Sequence, residues 1–416
     1  MSKQAFYQVL GQELARIDDA GTAKRHENVI EGFTDHPAPR AKIAGQEYRI
    51  FNSNDYLGFR HLPELKEAEH QASQQYGTGP GAVRFISGSL KIHRDLEKAL
   101  AEFHGRDDAM VFSSAFAANM AVLFSLIAGQ SRDSVVGNDV LVISDEINHR
   151  SIIDGIRIAN HPKPKRRIFK HLDLDDLAKI LEEEKGQHQR VLIVTDGVFS
   201  MLGEYQDLGP LRALVNQYDS EYEQGIILVV DDAHGIGAFG ETGRGTEEVT
   251  RGKADVLVGT LGKALGADGG YVVGDQVVID YLREAAATYI YSNSISPGTA
   301  GAGLAAVKLL SSEKGQKMLA QLRENMGQFK REMIELGFEF ASDSIHPIQP
   351  ILLGEAKKAK ALTDAFFEAG ILVTNLSYPV VSPGRDEIRV QLSAAHTKED
   401  IDYFISSARA AQAKLK

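Results

Sequence analysis

The sequence predicts an α/β protein in which helices cover both faces of a mostly parallel β-sheet. Short apolar runs rich in β-branched residues alternate with helical patterns through the middle of the chain, at residues 140–143, 191–194, 226–230 and 256–258. Each run is apolar at every position rather than at every second one. That pattern is typical of parallel strands buried on both faces.

Three regions follow one another along the chain. Residues 1–45 predict an amphipathic helix and an arm that contains Pro37 and Pro39. Residues 46–300 hold the alternating strands and helices and form the predicted large domain. A long helical pattern at 302–336, a strand-like run at 348–353 and two further helices predict a small α+β domain over residues 301–416.

Composition and charge exclude several classes of protein. Hydrophobic residues make up 43% of the 416 residues and charged residues 25%, which argues against disorder, collagen and coiled coil. No uncharged apolar run reaches the roughly 18 residues that a membrane span needs. The net charge of -11 argues against nucleic acid as a partner.

The absence of cysteine excludes disulfides, thiolate metal ligands and cysteine nucleophiles. No metal site is expected. The first residues lack the apolar core of a signal peptide. A cytoplasmic location is therefore the expectation.

Polar residues follow each of the four apolar runs. Because ligands in open α/β sheets bind at the carboxyl ends of the strands, we expect these residues to meet in one site. They are Ser144, Asp145, Asn148 and His149 after the first run, Asp196 and Ser200 after the second, Asp231, Asp232 and His234 after the third, and Thr260 and Lys263 after the fourth.

This set matches what pyridoxal phosphate (PLP) requires of a protein. The amine of Lys263 can hold the cofactor as an imine, and the carboxylate of Asp231 can keep the pyridine nitrogen protonated. His234 can donate a hydrogen bond to the ring oxygen, and His149 can cover the ring face. Each residue alone has a plainer interpretation, because aspartates often cap helices, histidines are often structural and lysines usually lie in solvent.

Two further features favour the cofactor. Ser114, Ala115 and Phe116 precede an apolar helical run, and a helix N-terminus there would offer free N–H groups to a phosphate, with Thr260 adding a hydroxyl. Glycines also crowd around the lysine, which implies close backbone approach or unusual dihedral angles. They are Gly259, Gly262, Gly266, Gly269 and Gly270.

Motifs along most of the chain resemble the α-oxoamine synthases, which condense an amino acid with an acyl-CoA and release carbon dioxide. The matching segments are SNDYLG (53–58), VRFISGSLKIHRDLE (83–97), SDEINHRSIIDG (144–155), TDGVFSMLG (195–203), VDDAHGIGAFGETGRG (230–245), GTLGKALG (259–266), YSNSISP (291–297) and IRVQLSAAHT (388–397). The resemblance implies an aminotransferase-like fold of PLP fold type I, with a seven-stranded sheet and a small C-terminal domain.

The resemblance also assigns roles to individual residues. Lys263 would be the Schiff-base lysine, Asp231 the partner of the pyridine nitrogen, His234 the ring-oxygen donor and His149 the stacking residue. The remaining expected contacts are Ser114, Ala115, Phe116 and Thr260 with the phosphate, Ser200 beside the ring, Ser292 and Asn293 with the phosphate across a homodimer interface, and Asn54 and Arg389 with the substrate, the arginine holding its carboxylate. Without the family, Arg389 could equally form a surface ion pair, and Ser292 and Asn293 could form a turn before Pro297.

Within the family, NHRSIIDG, TDGVFSM, YSNSISP, YPVVSPG and IRVQLSAAHT look most like glycine C-acetyltransferases. The expected reaction is therefore transfer of an acetyl group from acetyl-CoA to glycine. The alternative is a sister activity with a longer acyl-CoA or another amino acid, as in oxononanoate synthases or serine palmitoyltransferases. A different PLP reaction and a non-catalytic homologue also stay open. Residues 129–139 look like an insertion, and the loop after Lys263 is shorter than the acetyltransferase form.

Overall fold

The computed structural model describes residues 2–20, 23–25, 27–35, 38–129, 133–378 and 381–415. The predicted insertion at 129–139 and the YPVVSPG motif lie partly outside them. The strands are β1 (Gly32–Phe33), β2 (Ala41–Ile43), β3 (Gln46–Ile50), β4 (Asp108–Phe112), β5 (Val140–Asp145), β6 (Arg166–Phe169), β7 (Arg190–Asp196), β8 (Ile226–Asp231), β9 (Val256–Thr260), β10 (Gly270–Gly274), β11 (Glu339–Phe340), β12 (Ile348–Leu352), β13 (Ile371–Leu372), β14 (Thr374–Leu376) and β15 (Glu387–Gln391).

Helices connect these strands and cover them. They are α1 (Ser2–Asp19), α2 (Pro63–Tyr76), α3 (Lys91–His104), α4 (Ala115–Ala128), α5 (Arg150–Ile158), α6 (Leu174–Glu183), α7 (Leu208–Tyr218), α8 (Thr246–Thr250), α9 (Gln276–Ala285), α10 (Ala287–Ile290), α11 (Pro297–Leu310), α12 (Glu313–Glu335), α13 (Ala356–Glu368) and α14 (Lys398–Leu415). Among the described residues, no helix is both long and apolar enough to cross a bilayer.

A seven-stranded sheet forms the centre of the molecule, in the order β4-β10-β9-β8-β7-β5-β6. The strands from β9 to β6 run parallel, while β10 is antiparallel to both of its neighbours. The predicted α/β fold with a mostly parallel seven-stranded sheet is confirmed. Each of the four apolar runs lies in one of its strands.

The apolar runs form strands because both faces of the sheet are buried. Along β7, Val191 and Ile193 belong to one hydrophobic cluster, and Leu192 and Val194 belong to another on the opposite face. Removing such a side chain from water contributes about 1.5–3 kcal/mol. A strand gains this stabilisation on both of its faces only when its residues are apolar at every position.

Two smaller sheets complete the fold. An antiparallel sheet, β11-β12-β15-β14, lies in the C-terminal part of the chain and carries Arg389 on β15. The other sheet has the order β1-β2-β3-β13. Its β13 pairs in parallel with β3, and this pairing joins the C-terminal part of the chain to the N-terminal part. The domain boundaries at 45 and 300 stay predictions.

Candidate active site

The carboxyl ends of the parallel strands open into one cavity. Its walls come from the ends of β7 and β8, from the loop after β9 and from the beginnings of α4 and α5. The lining residues are Ala115, Phe116, His149, Ser151, Asp196, Val198, Ser200, Asp231, Ala233, His234 and Lys263. Most of the residues predicted for the cofactor thus meet in one place, although their individual roles stay predictions.

Asp231 ends β8 and is buried at the base of this cavity. Its Oδ2 accepts a hydrogen bond from Nδ2 of Asn119, and its Oδ1 accepts one from the N–H of Ala233 at 3.0 Å. The Nδ2 of Asn119 also donates to Oγ of Ser151 at 2.9 Å. Three elements therefore hold the carboxylate in place, so that it can face a cationic ring nitrogen.

Lys263 follows β9 in the loop that leads to β10, and it is half-buried in the cavity. Burial lowers the pKa of Lys263, while the carboxylates of Asp231 and Asp196 act in the opposite direction. A lysine with a lowered pKa has a larger fraction of neutral amine, the form that attacks an aldehyde. This position is suited to imine formation, and the role of Lys263 as the Schiff-base lysine stays a prediction.

His234 is buried and contacts Tyr56, a residue that the sequence did not single out. The hydroxyl of Tyr56 lies 2.8 Å from Nδ1 of His234, and Nε2 of His346 lies 2.9 Å from the carbonyl oxygen of His234. Burial, followed by the charge of Lys263, lowers the pKa of His234 well below its usual range. A hydroxyl proton given to Nδ1 leaves the imidazole hydrogen on Nε2, the form that can donate to a ring oxygen.

His149 caps the beginning of α5 and lies against the cavity. Its Nδ1 is 2.7 Å from Oγ of Ser151, and its backbone N–H donates to Oδ2 of Asp196 at 3.0 Å. The ring meets Phe116 edge-on, with 6.4 Å between centroids. Burial lowers the pKa of His149. A neutral, fixed imidazole of this kind is suited to cover a planar ring.

The beginning of α4 has the form of an anion site. Ser114 caps the helix by accepting the N–H of Ala117, at 3.1 Å, and the first N–H groups, those of Ala115 and Phe116, have no partner within the helix. A Cβ on Gly270 would lie only 2.1 Å from the nitrogen of Ala115, so only glycine allows β10 to approach this turn. The helix N-terminus predicted as the phosphate turn is present, and its contact with a phosphate stays a prediction.

Thr260 ends β9 beside this turn, opposite Gly270 in the neighbouring strand. Its hydroxyl donates to the carbonyl of Gly269 at 3.0 Å and accepts the N–H of Gly262 at 3.2 Å. These bonds shape the lysine loop. Contact between Thr260 and a phosphate stays a prediction.

Arg389 and Asn54 lie beside the cavity rather than in its wall. Nη1 of Arg389 donates to the carbonyl of Ser200 at 2.6 Å, while its buried Nε has no partner. Oδ1 of Asn54 accepts from Gln391 and lies 3.3 Å from the hydroxyl of Tyr56. Among the described residues, Arg389 forms no surface ion pair, and the guanidinium keeps hydrogen-bonding capacity for a ligand.

Ser292 and Asn293 do not line the cavity of the single chain. Ser292 is half-buried and Asn293 is exposed, in the segment between α10 and α11. Their contact with a phosphate requires a second subunit and stays a prediction.

Asp196 is an ionisable residue of the cavity to which the sequence assigned no role. It lies at the end of β7, in register with Asp231 on β8. Burial raises the pKa of Asp196 well above its usual range, and the neighbouring Asp231 adds to this effect. The signal in the sequence that could have identified Asp196 is its position just after an apolar run. Tyr56 lies within the SNDYLG motif and Asn119 lies within the apolar run of α4, but neither follows a predicted sheet strand.

Taken together, these residues fit PLP. The amine, the fixed carboxylate, the neutral imidazoles and the helix N-terminus each match one part of the cofactor. Oδ1 of Asp196 is buried without a protein partner, and Gly270 leaves space where a Cβ would enter the phosphate turn. Within the described residues, no cluster of histidine and acidic side chains could hold a metal ion.

Comparison with known proteins identifies the family. The family model described as aminotransferase class I and II matches residues 48–407. An 8-amino-7-oxononanoate synthase of Petrotoga mobilis is 37% identical over 96% of both chains, and that of Fervidobacterium nodosum is 41% identical over 86% of this chain and 87% of the relative. The chain belongs to the α-oxoamine synthases. It is a PLP-dependent acyltransferase of the kind that uses acyl-CoA.

Solved structures agree with this family. A serine palmitoyltransferase from S. paucimobilis with bound PLP and myriocin superposes with a TM-score of 0.86, at 26% identity over 99% of this chain and 98% of the other. The 8-amino-7-oxononanoate synthase of Francisella tularensis gives 0.70, at 28% identity over 88% and 98%. These relatives do not confirm the expected likeness to glycine C-acetyltransferases. They favour the sister activities of the α-oxoamine synthases.

Proposed function

We propose that this α-oxoamine synthase condenses L-alanine with an acyl-CoA whose acyl chain is longer than acetyl, and releases CoA and carbon dioxide. The named relatives support this choice. The skeleton of 8-amino-7-oxononanoate divides between C7 and C8 into alanine without its carboxyl group and an acyl group with a carboxylate at its far end. The predicted reaction of glycine with acetyl-CoA becomes the second candidate, supported by the motifs at 148–155, 195–201 and 388–397.

The observation that carries the proposal is the single cavity shared by Lys263, Asp231 and His234, with Arg389 held beside it through Ser200. When bound, PLP supplies an electron-accepting ring that stabilises negative charge on the α-carbon of an amino acid. Asp231 holds a proton at the ring nitrogen, and His234 donates a hydrogen bond to the ring oxygen. Lys263 would take up the α-proton with its amine.

The substrates would be held by residues around the same cavity. Arg389 offers a planar guanidinium to the carboxylate of the amino acid, and Asn54 lies close by through Gln391. His149 covers the ring and can donate a hydrogen bond to the thioester oxygen during acyl transfer. We further propose a homodimer in which Ser292 and Asn293 reach the phosphate of the partner's site. Size-exclusion chromatography with light scattering would test the dimer, and a monomer that is fully active would contradict it.

Product analysis tests the proposed reaction. Purified enzyme is mixed with acyl-CoAs of increasing length and with glycine, alanine or serine, and free thiol and carbon dioxide are measured together. Alanine with a long, carboxylate-ended acyl-CoA should release both in equal amounts. Best turnover with glycine and acetyl-CoA would instead establish the second candidate. Transfer of the amino group to a keto acid without thiol release would overturn both.

A further inference from the structure

Glu387 and Arg389 lie two positions apart on β15. Side chains alternate between the faces of a strand, so these two residues share one face with Gln391. Glu387 is fully buried and lies between strands, opposite Leu352 on β12 and Leu376 on β14. An acidic side chain therefore lies inside the small sheet on the same side as the proposed carboxylate-binding arginine.

Neither Glu387 nor Arg389 has its hydrogen bonds satisfied. Both carboxylate oxygens of Glu387 are buried with no partner in the part of the chain that the structure describes, and the same holds for Nε of Arg389. Buried carboxylates are normally paired, because an unpaired buried charge is costly. These are complementary groups on one face of one strand, and they do not bond to each other.

The charged groups around Glu387 lie on or just before β15 and in the loop that follows β7. They are Arg385, Arg389 and Glu204. Arg385 donates to the carbonyl of Ala341, and Glu204 contacts His171. Burial raises the pKa of Glu387 to about 7, although both arginines act to lower it. The protonation of this glutamate therefore responds to changes in charge near neutral pH.

We propose that Glu387 is the counter-charge of Arg389 and sets the affinity of that arginine for the substrate carboxylate. The proposal rests on the proposed role of Arg389 in binding this carboxylate. When the substrate arrives, two carboxylates share one guanidinium, and like charges in a buried site favour protonation of one of them. Glu387 would take up that proton, so substrate binding should weaken as the pH rises through the range in which Glu387 loses its proton.

Binding to the holoenzyme gives a direct test. The absorbance of the bound cofactor is followed during titration with L-alanine at about pH 6 and about pH 8.5, values on either side of the titration of Glu387. At the higher pH, Glu387→Gln should bind alanine about tenfold more tightly than wild type, since it removes a negative charge on the strand face that carries the guanidinium. At the lower pH the two proteins should bind equally.

Asp386→Asn is the matched control. It removes one negative charge from the buried position that precedes β15, outside the strand face shared by Glu387 and Arg389. Its affinity should equal that of wild type at both pH values. Alanine itself releases protons when it binds. This release is the same for wild type and the variants, so it cancels when their alanine affinities are compared at one pH. Calorimetry in two buffers of different ionisation enthalpy should also show more proton uptake, by up to one proton, for wild type than for Glu387→Gln.

The outcomes separate this proposal from the proposed function. The proposed role of Glu387 is wrong if the ratio of the alanine affinities of Glu387→Gln and wild type is the same at both pH values. It is also wrong if Asp386→Asn changes the affinity as much as Glu387→Gln does. If Arg389→Gln weakens alanine binding while Glu387→Gln does nothing, Arg389 keeps its assignment and only the role of Glu387 fails. If Arg389→Gln binds alanine as wild type does, the carboxylate assignment itself is wrong.

Discussion

Tyr56 and His234 are joined by a 2.8 Å contact between the phenol oxygen and the imidazole Nδ1, although 178 positions separate them in the chain. Both side chains are buried, and His234 lines the cavity that holds Lys263. The contact holds the imidazole in a fixed orientation, and a hydroxyl proton given to Nδ1 would leave the imidazole hydrogen on Nε2. Tyr56 is therefore a positioning residue for the ring-oxygen donor.

Removing this hydroxyl should loosen the cofactor. Tyr56→Phe keeps the ring in place but lets His234 adopt either neutral tautomer, and the loss of one such hydrogen bond costs about 1 kcal/mol. We expect weaker PLP retention during dialysis and a shifted absorbance band of the bound cofactor. Tyr48→Phe is the control, since the hydroxyl of Tyr48 contacts Gln46 instead. An unchanged band and unchanged retention in Tyr56→Phe would remove this role.

Lys263→Ala should abolish the covalent attachment of the cofactor. After borohydride reduction and dialysis, the variant should retain no cofactor whereas wild type keeps the reduced adduct, and thiol release should fall by roughly a thousandfold or more. Lys308→Ala, a change at an exposed lysine of α11, should leave both unchanged. A borohydride-stable adduct that persists in Lys263→Ala would place the attachment at another lysine.

Gly270→Ala should displace the phosphate turn without removing any polar group. The added Cβ would lie 2.1 Å from the nitrogen of Ala115, and backbone on both sides resists this shift. We expect about tenfold weaker PLP binding, in keeping with the loss of one or two hydrogen bonds to the phosphate. Gly327→Ala is the control, because a Cβ there meets nothing within 4 Å. That change, inside α12, should raise the stability of the protein by up to about 1 kcal/mol.

His171 should make the stability of the protein depend on pH. Its Nδ1 lies 3.1 Å from Asp145 and its Nε2 lies 3.3 Å from Glu204. Burial acts to lower the pKa of His171, but the bonds to these carboxylates raise it to about 9, above its ordinary 6.5. A raised pKa stabilises the folded state fully below 6.5, and this contribution, about 3 kcal/mol at most, is lost as the pH rises through about 9.

Thermal unfolding at several pH values measures this contribution. The midpoint of wild type should fall between about pH 7 and about pH 9.5 more steeply than that of His171→Gln. The exposed His70→Gln should follow wild type. Parallel curves for wild type and His171→Gln would show that the imidazolium does not stabilise the fold.

Local patterns in the sequence predicted the sheet and much of the site. The four fully apolar runs form neighbouring strands, and Asp231 and Lys263 follow two of them into one cavity. This works because burial on both faces requires an apolar residue at each position, and because parallel strands end at the same edge. The glycines around the lysine also behave as expected, since Gly266 and Gly269 both have a positive φ.

The choice of substrate was not settled by the motifs. The sequence favoured a glycine C-acetyltransferase, whereas the curated relatives described above are 8-amino-7-oxononanoate synthases. Motifs around the lysine and the strand ends serve the chemistry that the whole family shares. They therefore carry little information on the length of the acyl chain.

By itself, then, the sequence determined the fold class, the cofactor and the residues that follow the strands. The tertiary structure decided which distant side chains support them: Asn119 beside Asp231, Tyr56 beside His234, and Arg389 against the carbonyl of Ser200, 189 positions away. It also placed Glu387 in the interior without a partner. Periodicity records whether a residue is buried, but the partner it meets depends on how elements far apart in the chain pack together.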